Sequence, residues 1–315
     1  MKRIKKYSFL VALLFSSNIY ALEALNDNDL SEATGQDGIS IGVGLSKIQV
    51  DQFSIIDKDG LSSDHLLKTT VPTYTGAASF VVAGNSANTP VSVDFLGATS
   101  SPTVRIEIDA EGGGSPYANI GFAFDQNVSG IRISPFSVYL AGADSTSTAS
   151  NMNSIYDVTT LKSDVYKFLS VGSVAKPFEL TFHNVNKPSV NLQLGNAPQN
   201  RMFLFKGAIK AICANGCPIA LIAGATAASF DLKMIATDPT NGYSLNSFYA
   251  GLEPDALVFG NTGTSSKMDV GINNLMLGTL DSTDTSFSGL KNSSMGSFGL
   301  TGSSITNLKM SVKGL

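Results

Sequence analysis

From Ile39 onward the chain repeats one short pattern: apolar, small or polar, apolar again. Ile39, Ile41, Val43 and Leu45 alternate with Ser40, Gly42, Gly44 and Ser46. A period of two sends alternate side chains to opposite faces of a strand, so these runs specify half-buried β-structure. A phase slip near Asp51 separates Ile48 and Val50 from Phe53 and Ile55 and predicts a bulge or turn. The pattern returns at Ala78–Val82, Val91–Phe95, Val104–Ile108, Ile120–Phe124, Phe178–Phe182 and Val190–Leu194, with Gly, Pro and Asn between the runs. The expected fold is all-β, an elongated antiparallel sandwich or stacked sheets with minor short helices.

A β-solenoid is the alternative, resting on the C-terminal tail. There INNLMLG and ITNLKMS, at Ile272 and Ile305, align with an offset of 33 residues. One segment departs from strand periodicity. Val158, Leu161, Val165 and Phe168–Leu169 recur at helical spacing, and Asp157 can cap a short helix.

Residues 1–21 read as an address. Lys2, Arg3, Lys5 and Lys6 precede an apolar run from Tyr7 to Tyr20, and cleavage is expected after Ala21. The run has 14 residues, short of the roughly 20 that span a bilayer. The expectation is export to the cell surface, the outer membrane or the medium, with the periplasm as alternative. The remaining chain has 17 basic and 25 acidic residues, a net charge of −8. That balance argues against a nucleic-acid partner, which needs a basic face. Residues 22–38 are expected to form an N-terminal arm, in which Leu22, Leu25 and Leu30 share one side of a short helix and Gly35 and Gly38 turn the chain. Such a docking arm needs protein partners, at the surface or in the periplasm. Residues 39–315 form the β-rich body, with a division expected near 141–177.

The segment 202–230 is strongly apolar, but Lys206, Lys210 and Pro218 interrupt it. Two strands around the CANGC turn fit it better than a transmembrane span. Cys213 and Cys217 are the two cysteines of the chain, and an exported protein can join them in a local disulfide. Two thiols without a neighbouring His make half a metal site at most. The C-terminal residues Lys309, Ser311, Lys313 and Leu315 do not form the lipid-facing last strand of an outer-membrane barrel.

Catalytic motifs are missing from the sequence: there is no G-x-S-x-G elbow, H-E-x-x-H or P-loop. His65 and His183 read as surface or turn residues. Glu107, Asp109 and Glu111 can share one strand face, the arrangement that a carboxylate-driven glycosidase would need; the plainer reading is a solvated face. No cofactor is expected. A loose calcium site through Asp57, Asp59 and Asp64 is a weak alternative, because the EF-hand spacing fails: setting Gly60 at position six puts Ile55 at position one.

The segment ALEALNDNDLSEATGQDGISI, Ala21 to Ile41, resembles the start of an exported family of Gram-negative bacteria labelled pilus assembly protein FilA-like. The matching residues are Leu22, Leu25, Asp27, Leu30 and Thr34 to Ile39. The resemblance implies a role in surface filaments or their assembly. No type IV pilin N-terminus and no sortase signal accompany it. The expected function is that of a non-enzymatic secreted or surface-associated structural or adhesive protein linked to pilus-like filaments. The alternatives are an extracellular polymer-acting enzyme and a periplasmic assembly or binding module.

Overall fold

A computed structural model describes residues 38–57, 78–85, 89–97, 103–142, 165–196, 201–279, 290 and 293–313. The chain divides into two compact units, Met1–Ile39 and Ser40–Leu315. Residues 1–21, Leu22, Leu25, Leu30, Gly35, Asp59, Asp64 and His65 lie outside the described residues. Of the arm, Gly38 is described, at φ 78°, a conformation glycine adopts without steric cost.

The body is all-β, with two antiparallel sheets and no helix among the described residues. Sheet one runs β1 (Ile39–Val43), β6 (Val104–Glu111), β7 (Tyr117–Phe124), β12 (Ser189–Gly195), β13 (Phe203–Lys206), β17 (Phe248–Glu253), β18 (Ala256–Asn261) and β21 (Lys309–Val312). Sheet two runs β2 (Lys47–Val50), β5 (Val91–Leu96), β8 (Gly130–Ile133), β11 (Phe178–Phe182), β14 (Ala208–Ala223), β10 (Val165–Val171), β9 (Phe136–Gly142), β4 (Ala78–Gly84) and β3 (Gln52–Asp57). From β14 the second sheet also branches through β15 (Thr226–Ala236) to β19 (Met268–Thr279) and β20 (Phe298–Ser303), while β16 (Tyr243–Ser244) pairs with the start of β14. Part of this assembly is a nearly closed, barrel-like sheet.

The phase slip at Asp51 is the break between β2 and β3. These two strands join opposite ends of sheet two, β2 beside β5 and β3 beside β4. The main core cluster is built on sheet two, with Phe124 of sheet one reaching into it. Val128, Phe182, Ile209 and Met268 are buried there, with Phe95, Phe124, Ile131, Leu180, Ile212 and Met234 packed against them. Phe124 bridges the sheets, its ring 4.7 Å from Phe182 and 6.2 Å from Phe95.

Three expectations are corrected. The helix over Val158–Leu169 is not formed in its described part, because Val165–Val171 is strand β10. Its register with β9 shifts between Lys167 and Leu169, leaving Phe168 as an extra residue. A bulge interrupts period two and places apolar residues three and four apart, which imitates a helix. The solenoid is also not formed. Ile272–Gly278 lies in β19 of sheet two, whereas Ile305–Ser311 leads into β21 of sheet one, and the two copies do not stack.

The third correction concerns CANGC. Cys213 and Cys217 are disulfide-bonded, with Cα atoms 5.4 Å apart. The loop is not a hairpin tip, however. β14 continues through it for 16 residues, and its pairing with β15 jumps from Ile212 to Cys217. The disulfide therefore ties off a bulge in the middle of a strand. The hairpin lies further on, at Gly224–Ala225, where Ala223 faces Thr226 and Gly224 has φ 62°.

Candidate interaction surface

Because opposed residues in an antiparallel ladder share a face, the register of sheet two assembles its side chains into rows. One row is Phe53, Val82, Val138, Leu169, Leu221, Ala228 and Leu277. The next is Ile55, Phe80, Leu140 and Tyr166. Phe168, the bulged residue, sets its ring edge-on to Phe80 with centroids 5.9 Å apart. On the other side lies Phe136, Val171, Ile219 and Phe230. This last row leads toward Leu180 and Ile212, where the same face turns into the sandwich core.

Seven large side chains on these two rows are exposed. Relative exposure is 57% at Phe53, 61% at Ile55, 51% at Phe80, 40% at Leu140, 77% at Tyr166, 53% at Leu221 and 51% at Leu277. Clustered exposed apolar side chains on a folded chain are characteristic of contact surfaces. Asp57, at the rim, is the one charged residue on these rows among the described residues.

The opposite face of the same strands mixes small polar residues with Val81, Tyr139 and Ile222. Ala83, Ser137, Ser170, Ala220 and Ser229 form its central row. Ser79, Ser137, Ser170 and Ser229 are at most 1% exposed. Ser137 and Ser170 share a hydrogen bond of 2.9 Å, and Ser137 Oγ also donates to Asn85 Oδ1. Tyr139 donates to the carbonyl of Gly84 at 2.8 Å, and Lys167 Nζ to that of Asn85 at 2.9 Å. Burial raises the Tyr139 phenol above its ordinary pKa, against a smaller lowering by Ser137. Leu290 fits among Ala220, Ile222 and Ala227, with Met276 beside them.

The residues singled out in the sequence fall elsewhere. Glu107, Asp109 and Glu111 are exposed on one face of β6, opposite Gly121, Asn119 and Tyr117. His183 holds a turn: Nδ1 accepts from the backbone of Asn186 at 3.0 Å, so Nε2 donates to the Thr240 carbonyl at 2.8 Å. Both ring nitrogens are thus engaged in backbone contacts. Asp57 ends β3, while its two proposed calcium companions are not described. No group of three or more His, Cys, Asp or Glu suited to a metal occurs among the described residues. No helix among them is long and apolar enough to cross a membrane.

The apolar face escaped the sequence reading because alternation identifies which residues share a face, not what lies against it. A partial signal was present, since Phe53 and Ile55 flank Ser54 and Val138 and Leu140 flank Tyr139, although Val81 stands between Phe80 and Val82. Residues 1–99 match the model of a family described as "Family of unknown function (DUF6160)". No curated protein matches the chain. No solved structure matches it.

Proposed function

We propose that the chain is a non-enzymatic, exported, surface-associated structural protein whose working part is the uncovered apolar face of sheet two. The observation that carries this reading is an apolar row from β3 to β19 with a second from β3 to β10, in which Phe53, Ile55, Phe80, Leu140, Tyr166, Leu221 and Leu277 are exposed. Such a patch on a folded chain marks a contact surface. The basic and apolar N-terminal run supports export, and the Cys213–Cys217 disulfide fits an oxidising compartment. The TGQDGI resemblance supports a link to surface filaments, as a minor component or assembly partner.

The test is fractionation of native cells into cytoplasm, periplasm, outer membrane, sheared surface material and medium, followed by immunodetection. Recovery with the outer membrane or sheared material is expected. Purely cytoplasmic protein would overturn the reading.

A further inference from the structure

We propose that Asn215 is a site of spontaneous deamidation in the folded protein, and that Asp238 protects Asn241 from the same reaction. The proposal is independent of the surface reading above.

The chain contains two Asn–Gly pairs, Asn215–Gly216 and Asn241–Gly242. This pair is the most prone to rearrange, because a glycine without Cβ lets its main-chain nitrogen approach the carboxamide before it. The glycine nitrogen attacks Cγ of the asparagine. A C–N bond forms, the Cγ–Nδ2 bond breaks, and the main-chain amide proton leaves with the nitrogen as ammonia. Water then opens the cyclic imide at either carbonyl and gives aspartate or isoaspartate. Solvent supplies that water, and no oxidant or reductant takes part.

In exposure and backbone the two pairs are alike. Asn215 and Asn241 are exposed, Gly216 and Gly242 are buried, and the two glycines have φ 77° and 74°. They differ in what holds the reacting atoms. Asn241 Nδ2 donates to Asp238 Oδ2 at 2.7 Å, and the Asn241 N–H to Asp238 Oδ1 at 3.1 Å. The Gly242 N–H donates to the Asp238 carbonyl at 2.9 Å. The attacking nitrogen is therefore engaged elsewhere and the carboxamide is clamped. The Asp238 carboxylate also opposes the negative charge that builds on the attacked amide. Hydrogen bonds from Asn241 and then Thr240 keep that carboxylate below its ordinary pKa, so it stays ionised.

No side-chain hydrogen bond holds Asn215 among the described residues. A cavity of about 380 Å³ opens beside Ala214, Asn215 and Gly216, with room for the carboxamide to turn and for water to reach the imide. The pair lies inside the disulfide-tied bulge, where residues 213–216 of β14 have Lys233 alone opposite them on β15. An isoaspartyl residue lengthens the main chain there, at a point where the ladder is already interrupted, so the strand keeps its register on both sides.

The experiment is ageing of the full, disulfide-bonded chain in mildly alkaline buffer made with heavy-oxygen water. Samples taken over time are reduced, digested and analysed by mass spectrometry for the peptides that hold Asn215 and Asn241. The Asn215 peptide should acquire a labelled acid, resolved as an aspartyl and isoaspartyl pair, at least about tenfold faster than the Asn241 peptide, the factor expected from hydrogen bonds that must break first. In urea the two should convert at similar rates, because the Asp238 contacts are lost. Asp238→Ala, an exposed substitution whose folding is checked by its thermal midpoint, should bring Asn241 toward the Asn215 rate. Conversion of Asn215 no faster than that of Asn241 in the folded chain would overturn the proposal. So would a difference that persists unchanged in urea, which would assign it to neighbouring residues and not to the fold. An Asn241 that stays as slow in Asp238→Ala as in the parent chain would overturn it as well.

Discussion

Sheet two can be compared with itself. Strand β14 runs through both of its regions, and the Cys213–Cys217 bulge separates them. Before the bulge, Ile209 and Ile212 join the packed cluster around Phe182, which Phe124 of the first sheet enters. Beyond it, Leu221 belongs to the same apolar face and is 53% exposed. One face, written with one period-two pattern, is core in one half and surface in the other. Burial here is therefore decided by what packs against the face, not by the hydrophobicity of the strand. The uncovered half has to draw its stability from its other side, where the serine row and Leu290 are enclosed.

The sharpest way to break this comparison is to truncate one aromatic in each half. Phe182→Ala should lower stability by about 3–5 kcal/mol, through lost transfer and an unfilled cavity. Phe80→Ala should change it by no more than about 0.5 kcal/mol, as for other surface substitutions. Urea denaturation of both variants checks this, and similar losses would mean that both halves are covered. Next in size is the divider itself. Replacing Cys213 and Cys217 by Ser should cost about 2 kcal/mol, the chain-entropy value for so short a loop.

A smaller effect is expected from Ser137→Ala, which removes the hydrogen bonds to Asn85 and Ser170 on the enclosed side. About 1 kcal/mol is expected, measured by the same denaturation; no change would mean that the serine row does not hold this half. The smallest effect involves pH. Asp269, held below its ordinary pKa first by the Gly302 N–H and then by the Thr237 hydroxyl, links β19 to the end of β20. Its contribution is present above the unfolded carboxylate pKa and is lost as pH falls through the lowered folded value. Acid titration followed at β20 should show this loosening below about pH 4, and Asp269→Asn should abolish that pH dependence.

Much of the fold was legible in the residues. Val104, Ile106 and Ile108 against Arg105, Glu107 and Asp109 gave β6 and its exposed face correctly. The disulfide was legible from two cysteines in a chain expected to be exported. The hairpin after β14 was not, because Asn215–Gly216 is the stronger turn signal and the ladder resumes beyond it; the turn falls at Gly224–Ala225. Strand β10 was read as helix because one extra residue, Phe168, reset the alternation. The candidate surface was invisible for a different reason: Phe53 and Phe80 look like any buried face of a strand, and only the position of the other sheet shows that they are not.

The central claim is that one continuous apolar face is covered in one half and open in the other. The chain contains no Trp, so single indole probes report without background. The decisive measurement is acrylamide quenching of Phe124→Trp, between the sheets, and Phe80→Trp, on the open rows. The account predicts a protected, blue-shifted indole at position 124 and one quenched almost as readily as free indole at position 80. Equal protection at the two positions would contradict it.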